Sequence, residues 1–296
     1  MKKITSFLIA ACTFSHVAYA QSPAQNLMPD GSHDMYLGLG VLSRPLYDGA
    51  ASSKRVAVPV LQMQWSNGLF VAGMSAGLHM SNQYGHEFGP IIMLEPSRTP
   101  DGTSNTIQSP AYGQSSVVGP GLEQKYLKQS NRLIGMENIR TRLLAGGFYN
   151  FHVSNNLCNT NTLVFGAGNN RQGIRLSSDL RYHFKDIARH HQLIVGVGLN
   201  LVNKAYADSY FGVSEIEAGR SINPPFESRA GIKNIHAEAF WNWNLNASWL
   251  ITSKLSLSQL VGSASKSPLV ERKTNVYVST ALAYRCSSQH RCCLAR

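Results

Sequence analysis

The chain has 296 residues, 27 Lys and Arg against 16 Asp and Glu, 43% hydrophobic residues, 15% charged residues and 25 glycines. The charge content lies well below the about 25% usual for soluble domains. The mean hydropathy of −0.15 is too low for a bundle of spanning helices, and after residue 20 no stretch approaches the roughly 18 apolar residues that such a helix needs. Glycine without a G-X-Y period excludes collagen. Soluble all-β proteins and outer-membrane barrels remain as the leading classes.

Lys2 and Lys3 precede a mostly apolar, acid-free run from Ile4 to Val17, and Ala18-Tyr19-Ala20 forms an A-x-A site before Gln21. This pattern predicts a cleaved signal peptide over 1–20. A rival box, Ile9-Ala10-Ala11-Cys12, would lipidate Cys12, but it sits early and leaves a short apolar run. The full chain carries a net charge of +11; losing Lys2 and Lys3 with the leader leaves +9, and in an exported chain that charge meets lipopolysaccharide, phospholipid headgroups or wall polymers rather than nucleic acid. The basic residues are scattered, so a mixed solvated surface accounts for them as well. Beyond the leader the cysteines are Cys158, Cys286, Cys292 and Cys293, three of them in the last eleven residues, which is not a disulfide framework spread over a fold.

Beyond the leader the dominant period is two. Residues 68–80 place Phe70, Ala72, Met74, Ala76, Leu78 and Met80 on one face, opposite Gly73, Ser75, Gly77 and His79. In 174–184, Ile174, Leu176, Leu180, Tyr182 and Phe184 share a face, broken only by Ser178. Arg175, Ser177, Asp179, Arg181 and His183 stand opposite. Strict alternation over about eleven residues is a strand long enough to cross a bilayer at a tilt. Residues 191–203 and 274–286 repeat it, and 231–245 with 248–261 form a hairpin around Asn246-Ala247-Ser248. Asn67-Gly68 predicts a type I′ turn, and Asn169-Asn170 a similar one.

About eleven strands follow from this period: near 34–43, 55–66, 68–80, 86–95, 139–153, 160–168, 172–185, 191–203, 231–245, 248–261 and 274–286. Barrels of this type have even strand numbers. A twelfth strand therefore lies in 96–138 or 204–230, or one segment is misassigned. The expected fold is all-β, a single transmembrane antiparallel β-barrel of about 10–12 strands, outer-membrane type, over 21–286. A soluble β-sandwich is the alternative, with shorter strands. Trp65, Trp241, Trp243, Trp249, Tyr277 and Tyr284 lie near strand ends, where aromatic girdles sit. Arg175, Asp179, Arg181 and His183 are candidate lumen-lining residues. The long irregular stretches 96–138 and 204–230 would face outward.

Several motifs mislead. Gly73-Met74-Ser75-Ala76-Gly77 spells the hydrolase elbow G-x-S-x-G, but that motif needs a strand-to-helix turn and here it falls in an alternating segment. Cys286-x-x-x-His290-x-Cys292-Cys293 offers zinc-binding atoms at no known spacing. Gly166-x-Gly168 and Gly196-x-Gly198 lack the rest of a nucleotide fingerprint. The expectation is no enzyme, no cofactor and no metal.

Tyr206-x-x-x-Tyr210-Phe211-Gly212-Val213-Ser214 resembles the Y-F-G-V-S segment of the MltA-interacting protein (MipA/OmpV) family. In order along the chain, Gly38-x-Gly40-Val41 with Arg44-Pro45-x-Tyr47-x-Gly49 is similar to that family's first strand and turn, Val58-Pro59-Val60-Leu61 to its second strand, and Phe88-Gly89-Pro90 to its fourth. Leu260-Val261-Gly262 with Ser267-Pro268-Leu269-Val270 resembles its last loop. The resemblance spans roughly 34–286 and implies an outer-membrane β-barrel in the cell envelope. For the best-known member it implies a scaffolding protein that joins a murein lytic transglycosylase to a bifunctional penicillin-binding protein in peptidoglycan remodelling. For other members it implies osmotic, drug-susceptibility or adhesion-related outer-membrane proteins, and the alternative expectation for this chain is a small-solute channel or surface adhesin. The expected surroundings are outer-membrane lipid, with no nucleic acid.

Within the Y-F-G-V-S segment, Tyr206, Tyr210 and Phe211 are candidate partner-binding residues if exposed, or a loop packed on the rim by its own aromatics. Members end on an aromatic residue. Here Leu282-Ala283-Tyr284-Arg285 runs into Cys286 and an atypical tail, 287–296. Deleting 287–296 together with Cys286→Phe should raise the yield of inserted barrel, and no increase would reject that expectation.

Overall fold

The computed structural model describes residues 33–80, 85–104 and 132–287. The leader 1–20 and the tail beyond Ser287, with His290, Cys292 and Cys293, lie outside the described residues.

The strands are β1 (His33–Pro45), β2 (Ser53–Trp65), β3 (Leu69–Ala72), β4 (Ser75–Leu78), β5 (His86–Glu95), β6 (Arg98–Thr99) and β7 (Gly102–Thr103). They continue as β8 (Arg142–His152), β9 (Leu157–Ala167), β10 (Gly173–Ala188), β11 (His191–Val202), β12 (Gly231–Asn244), β13 (Trp249–Leu260) and β14 (Thr274–Ser287). All but β6 and β7 form one closed antiparallel barrel of twelve strands, in the order β1-β14-β13-β12-β11-β10-β9-β8-β5-β4-β3-β2. Closure runs from Asp34↔Ser287 to Ser43↔Val278. It leaves no sheet edge at that seam, which a bilayer would penalise.

Alternation explains the wall. Leu39, Val41, Leu143 and Val197 are exposed on the outside, where a soluble protein would place polar groups and a barrel meets lipid. Leu180, Tyr182 and Phe184 are exposed while Arg181 is buried, so β10 has its polar face inward. The soluble sandwich is set aside by this inverted pattern and by the closed ladder. Where two strands must lie close, glycine is required. A Cβ on Gly146 would stand 1.8 Å from the Leu163 carbonyl oxygen.

Three expectations change. Residues 68–80 are not one strand but two, β3 and β4, joined by a two-residue turn with Ala72 paired to Ser75. Gly73 takes φ +58, the conformation that glycine supplies at the first central position of a type II′ turn. The turn reverses the facing: Phe70 and Ala72 are buried, and after it Ser75 is buried while Met80 is exposed. This is the twelfth strand. Asn67-Gly68 is a turn, but only Gly68 has positive φ (+86), so it is not type I′. Tyr277 points into the barrel and donates to Asp48 Oδ1 at 2.7 Å; it does not join the girdle. Its neighbours Val276 and Val278 are exposed, so Tyr277 takes the opposite face.

The two ends differ. Residues 153–156, 189–190 and 245–248 are short turns at one end, shared with His33 and Ser287. At this rim His191, Trp241 and Trp243 form one aromatic cluster, with His191 at 5.6 and 5.5 Å from the two indoles and the indoles 6.2 Å apart. Trp249 meets Tyr284 edge-on at 5.0 Å. The other end carries the connections 46–52, 168–172, 203–230 and 261–273, with 96–104 and 132–141 between β5 and β8.

Candidate functional site

The connection 203–230, read from sequence as irregular, contains two helices, α1 (Lys204–Phe211) and α2 (Glu215–Arg220). Asn203 caps α1, its Oδ1 accepting from the Tyr206 N–H at 2.9 Å. The same oxygen accepts from the Ile174 N–H at 2.9 Å, which fixes the helix start to β10. Ser214 and Glu217 form a reciprocal capping box on α2. The S-x-x-E spacing at 214–217 was the available sequence signal for that helix.

α1 lies in the barrel mouth. Tyr206, Ala207 and Phe211 are buried in one cluster with Phe70, Met93, Leu144, Val164 and Leu260 of the inner wall. Two polar clamps hold its far end. Arg98 donates to the carbonyl oxygens of Tyr210 and Ser209, the second at 3.1 Å. Ser267 Oγ donates to the Phe211 carbonyl at 2.6 Å. A second apolar cluster covers this layer, built from Tyr47, Ala50, Leu133, Met136, Val213 and Leu269. Full burial of side chains such as Leu133 and Leu269 stabilises by about 1.5–3 kcal/mol each, enough to make the loops a packed plug.

This geometry corrects the exposed-anchor expectation. Tyr206 and Phe211 are 3% and 2% exposed, and Tyr210 packs partly buried against the same cluster. Tyr206 and Tyr210 stack at 4.4 Å, one turn apart on the helix. None of the three is a free surface for a partner. The loop packed by its own aromatics is the arrangement found. The G-x-S-x-G segment is no nucleophile elbow: Ser75 is 2% exposed and its Oγ donates to the Ala72 carbonyl at 2.8 Å, within a hairpin and not before a helix.

Below the plug lies an internal cavity of about 320 Å³. Arg175, Asp179 and Arg181 line it; His183 shares their strand face two residues further toward the short-turn end, outside the lining. Residues absent from the sequence reading complete the chamber. Arg175 pairs with Glu95 at 2.9 Å, Lys233 with Asp48 at 3.0 Å, and Lys254 with Glu238 at 2.9 Å. Asp179 Oδ1 meets His236 Nε2 at 2.6 Å. A Cβ on Gly198 would stand 2.3 Å from Asp179 Oδ1 and 2.7 Å from His236 Nε2, so glycine there makes room for that contact. Lys233 faces inward beside Asn234 because the β11–β12 register slips there, Asn200 pairing with Asn234 and Leu201 with Ile232. Such bulges re-aim side chains.

Loop electrostatics follow from burial and partners. Burial alone would raise the Asp48 carboxyl, but the Lys233 ammonium and the Tyr277 hydroxyl hold it below the ordinary range. Burial likewise opposes ionisation of Glu217, yet the N–H groups of Glu137 and Ser214 hold its pKa low. Burial, then the neighbouring Glu95 carboxylate, raises the Tyr210 hydroxyl well above its usual value.

Among solved structures, the KdgM porin in complex with disordered oligogalacturonate is 9% identical over 86% of this chain and 98% of its own, with a TM-score of 0.34. The TodX monoaromatic hydrocarbon channel, in a deletion mutant, is 9% identical over 88% and 91%, with a TM-score of 0.37. The outer membrane channel DcaP of Acinetobacter baumannii is 6% identical over 86% and 96%, with a TM-score of 0.35. No curated protein matches the sequence. The family model described as MltA-interacting protein MipA matches residues 37–286. With that match spanning all but the ends of the chain, and with a closed twelve-strand barrel to carry it, this protein belongs to the MipA family of outer-membrane-type β-barrels.

Proposed function

We propose that this barrel is a non-enzymatic scaffold in the outer membrane. In this reading, residues 1–20 direct export and are removed. The barrel then holds a murein lytic transglycosylase, together with a bifunctional penicillin-binding protein, on the periplasmic side. The family's name supports the first partner. The observation that carries the reading is the plugged mouth: α1 and the surrounding loops fill the loop-bearing end with apolar side chains, which disfavours an open pore. Long loops face outward in such barrels. The short-turn rim, with His191, Trp241 and Trp243, is then the periplasmic face offered to partners.

The second reading is a small-solute channel whose plug moves, favoured by the charged chamber beneath it. One pair of measurements separates them. The refolded full chain is immobilised and titrated with a purified lytic transglycosylase and, separately, a penicillin-binding protein. It is also placed in planar bilayers. Saturable binding without current supports the scaffold. Stepwise current without binding overturns it in favour of the channel.

A further inference from the structure

The chamber carries more positive than negative side chains. Six cations line it: Arg44, Arg98, Arg175, Arg181, Lys233 and Lys254. The carboxylates that line it are four: Asp48, Glu95, Asp179 and Glu238. Arg175, Lys233 and Lys254 each have a carboxylate at 2.9–3.0 Å. Arg181 shares carboxylates already engaged, Asp179 at 3.6 Å and Glu238 at 4.0 Å. Arg44 and Arg98 are held by neutral groups. Arg44 Nη2 donates to the carbonyls of Thr103 and Ser104, and Arg98 to those of Ser209 and Tyr210, with Glu217 of α2 as a more distant countercharge.

A second observation is independent of the count. Arg44 and Arg181 are 5% and 6% exposed. The Nε of each has no acceptor among the described residues, and neither has the Tyr210 hydroxyl a partner. A guanidinium Nε–H is a donor only and does not shed its proton. Burying such charge without compensation is costly. Water supplies an acceptor but no charge. A small oxyanion supplies both, and guanidinium forks match carboxylate and phosphate oxygens. A volume of about 320 Å³ is at the lower end of small-molecule sites.

We propose that the chamber binds a small oxyanion, a carboxylate or a phosphate, with Arg44 and Arg181 as its donors. The ligand neutralises the barrel interior and ties β1 to β10 across the lumen.

The test uses the full chain refolded in detergent. It is titrated calorimetrically with sodium phosphate and, separately, with sodium succinate, at ionic strength held constant with sodium chloride. One saturable site and a rise in melting temperature are expected. Arg44→Gln should weaken binding at least about tenfold, the size of one charge-assisted hydrogen bond. Glu238→Gln removes a competing negative charge and should tighten it. Lys204→Gln, on the exposed side of α1, should leave it unchanged. A tenfold preference for phosphate or for succinate assigns the oxyanion. Absence of saturable heat with both anions overturns the proposal. So does equal affinity in Arg44→Gln and Lys204→Gln. If Arg44→Gln does not fold, unchanged affinity in Glu238→Gln is the overturning result, and tightened binding the supporting one.

Discussion

Phe211→Ala tests whether the plug is a cooperative unit seated on the wall. Phe211 is 2% exposed and packs in the apolar cluster of α1 and the inner wall. Truncating a buried phenylalanine costs about 3–5 kcal/mol. That loss falls on the docking of α1, because the helix contributes none of the wall hydrogen bonds. If amide exchange in the helix occurs through local opening, it should accelerate by about two to three and a half orders of magnitude. Hydrogen exchange with mass spectrometry reads this in peptides covering 203–213, where the N–H groups of Ala207 and Gly212 are bonded to the carbonyls of Asn203 and Asp208. Peptides of β12 and β13 should be unchanged. Less than a tenfold acceleration in the helix would refute the packing argument. Equal acceleration in helix and strands would refute the separation of plug from wall.

Other perturbations address single contacts. Arg98→Gln removes charge-assisted bonds to two α1 carbonyls, each kind worth about 1.5–3 kcal/mol; exchange in 203–213 should rise at least tenfold, and no rise would dismiss the clamp. Gly146→Val should abolish the heat-modifiable folded band on gels, since its Cβ would meet the Leu163 carbonyl oxygen at 1.8 Å. Gly147→Ala, whose Cβ would meet only the Gly89 oxygen at 3.4 Å, should fold. Equal yields of the two would contradict the close-approach argument. Asp48 and Glu217 have folded pKa values below their unfolded ones. Their stabilisation is therefore complete above the unfolded range near 4 and is lost as pH falls through the folded values. The near-ultraviolet dichroism of the Tyr206–Tyr210 stack should persist to about pH 4 and fade below it. Glu217→Gln should make that loss shallower, and an identical acid profile would remove Glu217 from the account.

The wall was legible in the sequence because its period is simple. The segments expected near 34–43, 86–95, 231–245 and 274–286 differ from the observed strands by a few residues at most. The failure at 68–80 has a physical cause. Phe70, Ala72, Met74, Ala76 and Leu78 continue an apolar alternation across a reversal of direction, so hydropathy alone hides the turn; Gly73 was its one marker. Tyr277 was misplaced because nearness to a strand end was weighed above its facing. The plug was less visible. Its apolar residues lie in separate connections, Tyr47, Leu133, Val213 and Leu269, and come together only when the barrel closes. Arg175, Asp179 and Arg181 could be picked out on a clean strand, while Lys233 depends on a bulge that no alternation predicts.

In most barrels the outer loops drift freely in sequence, since they touch little but water. Here Leu133 and Leu269 are each 1% exposed, in connections more than a hundred residues apart. A change of side-chain size in one must be answered in another. The loop-bearing end is therefore constrained as a core is, and its variation over evolution should be correlated between loops, with the freest positions at exposed residues such as Ile216 and Ile222.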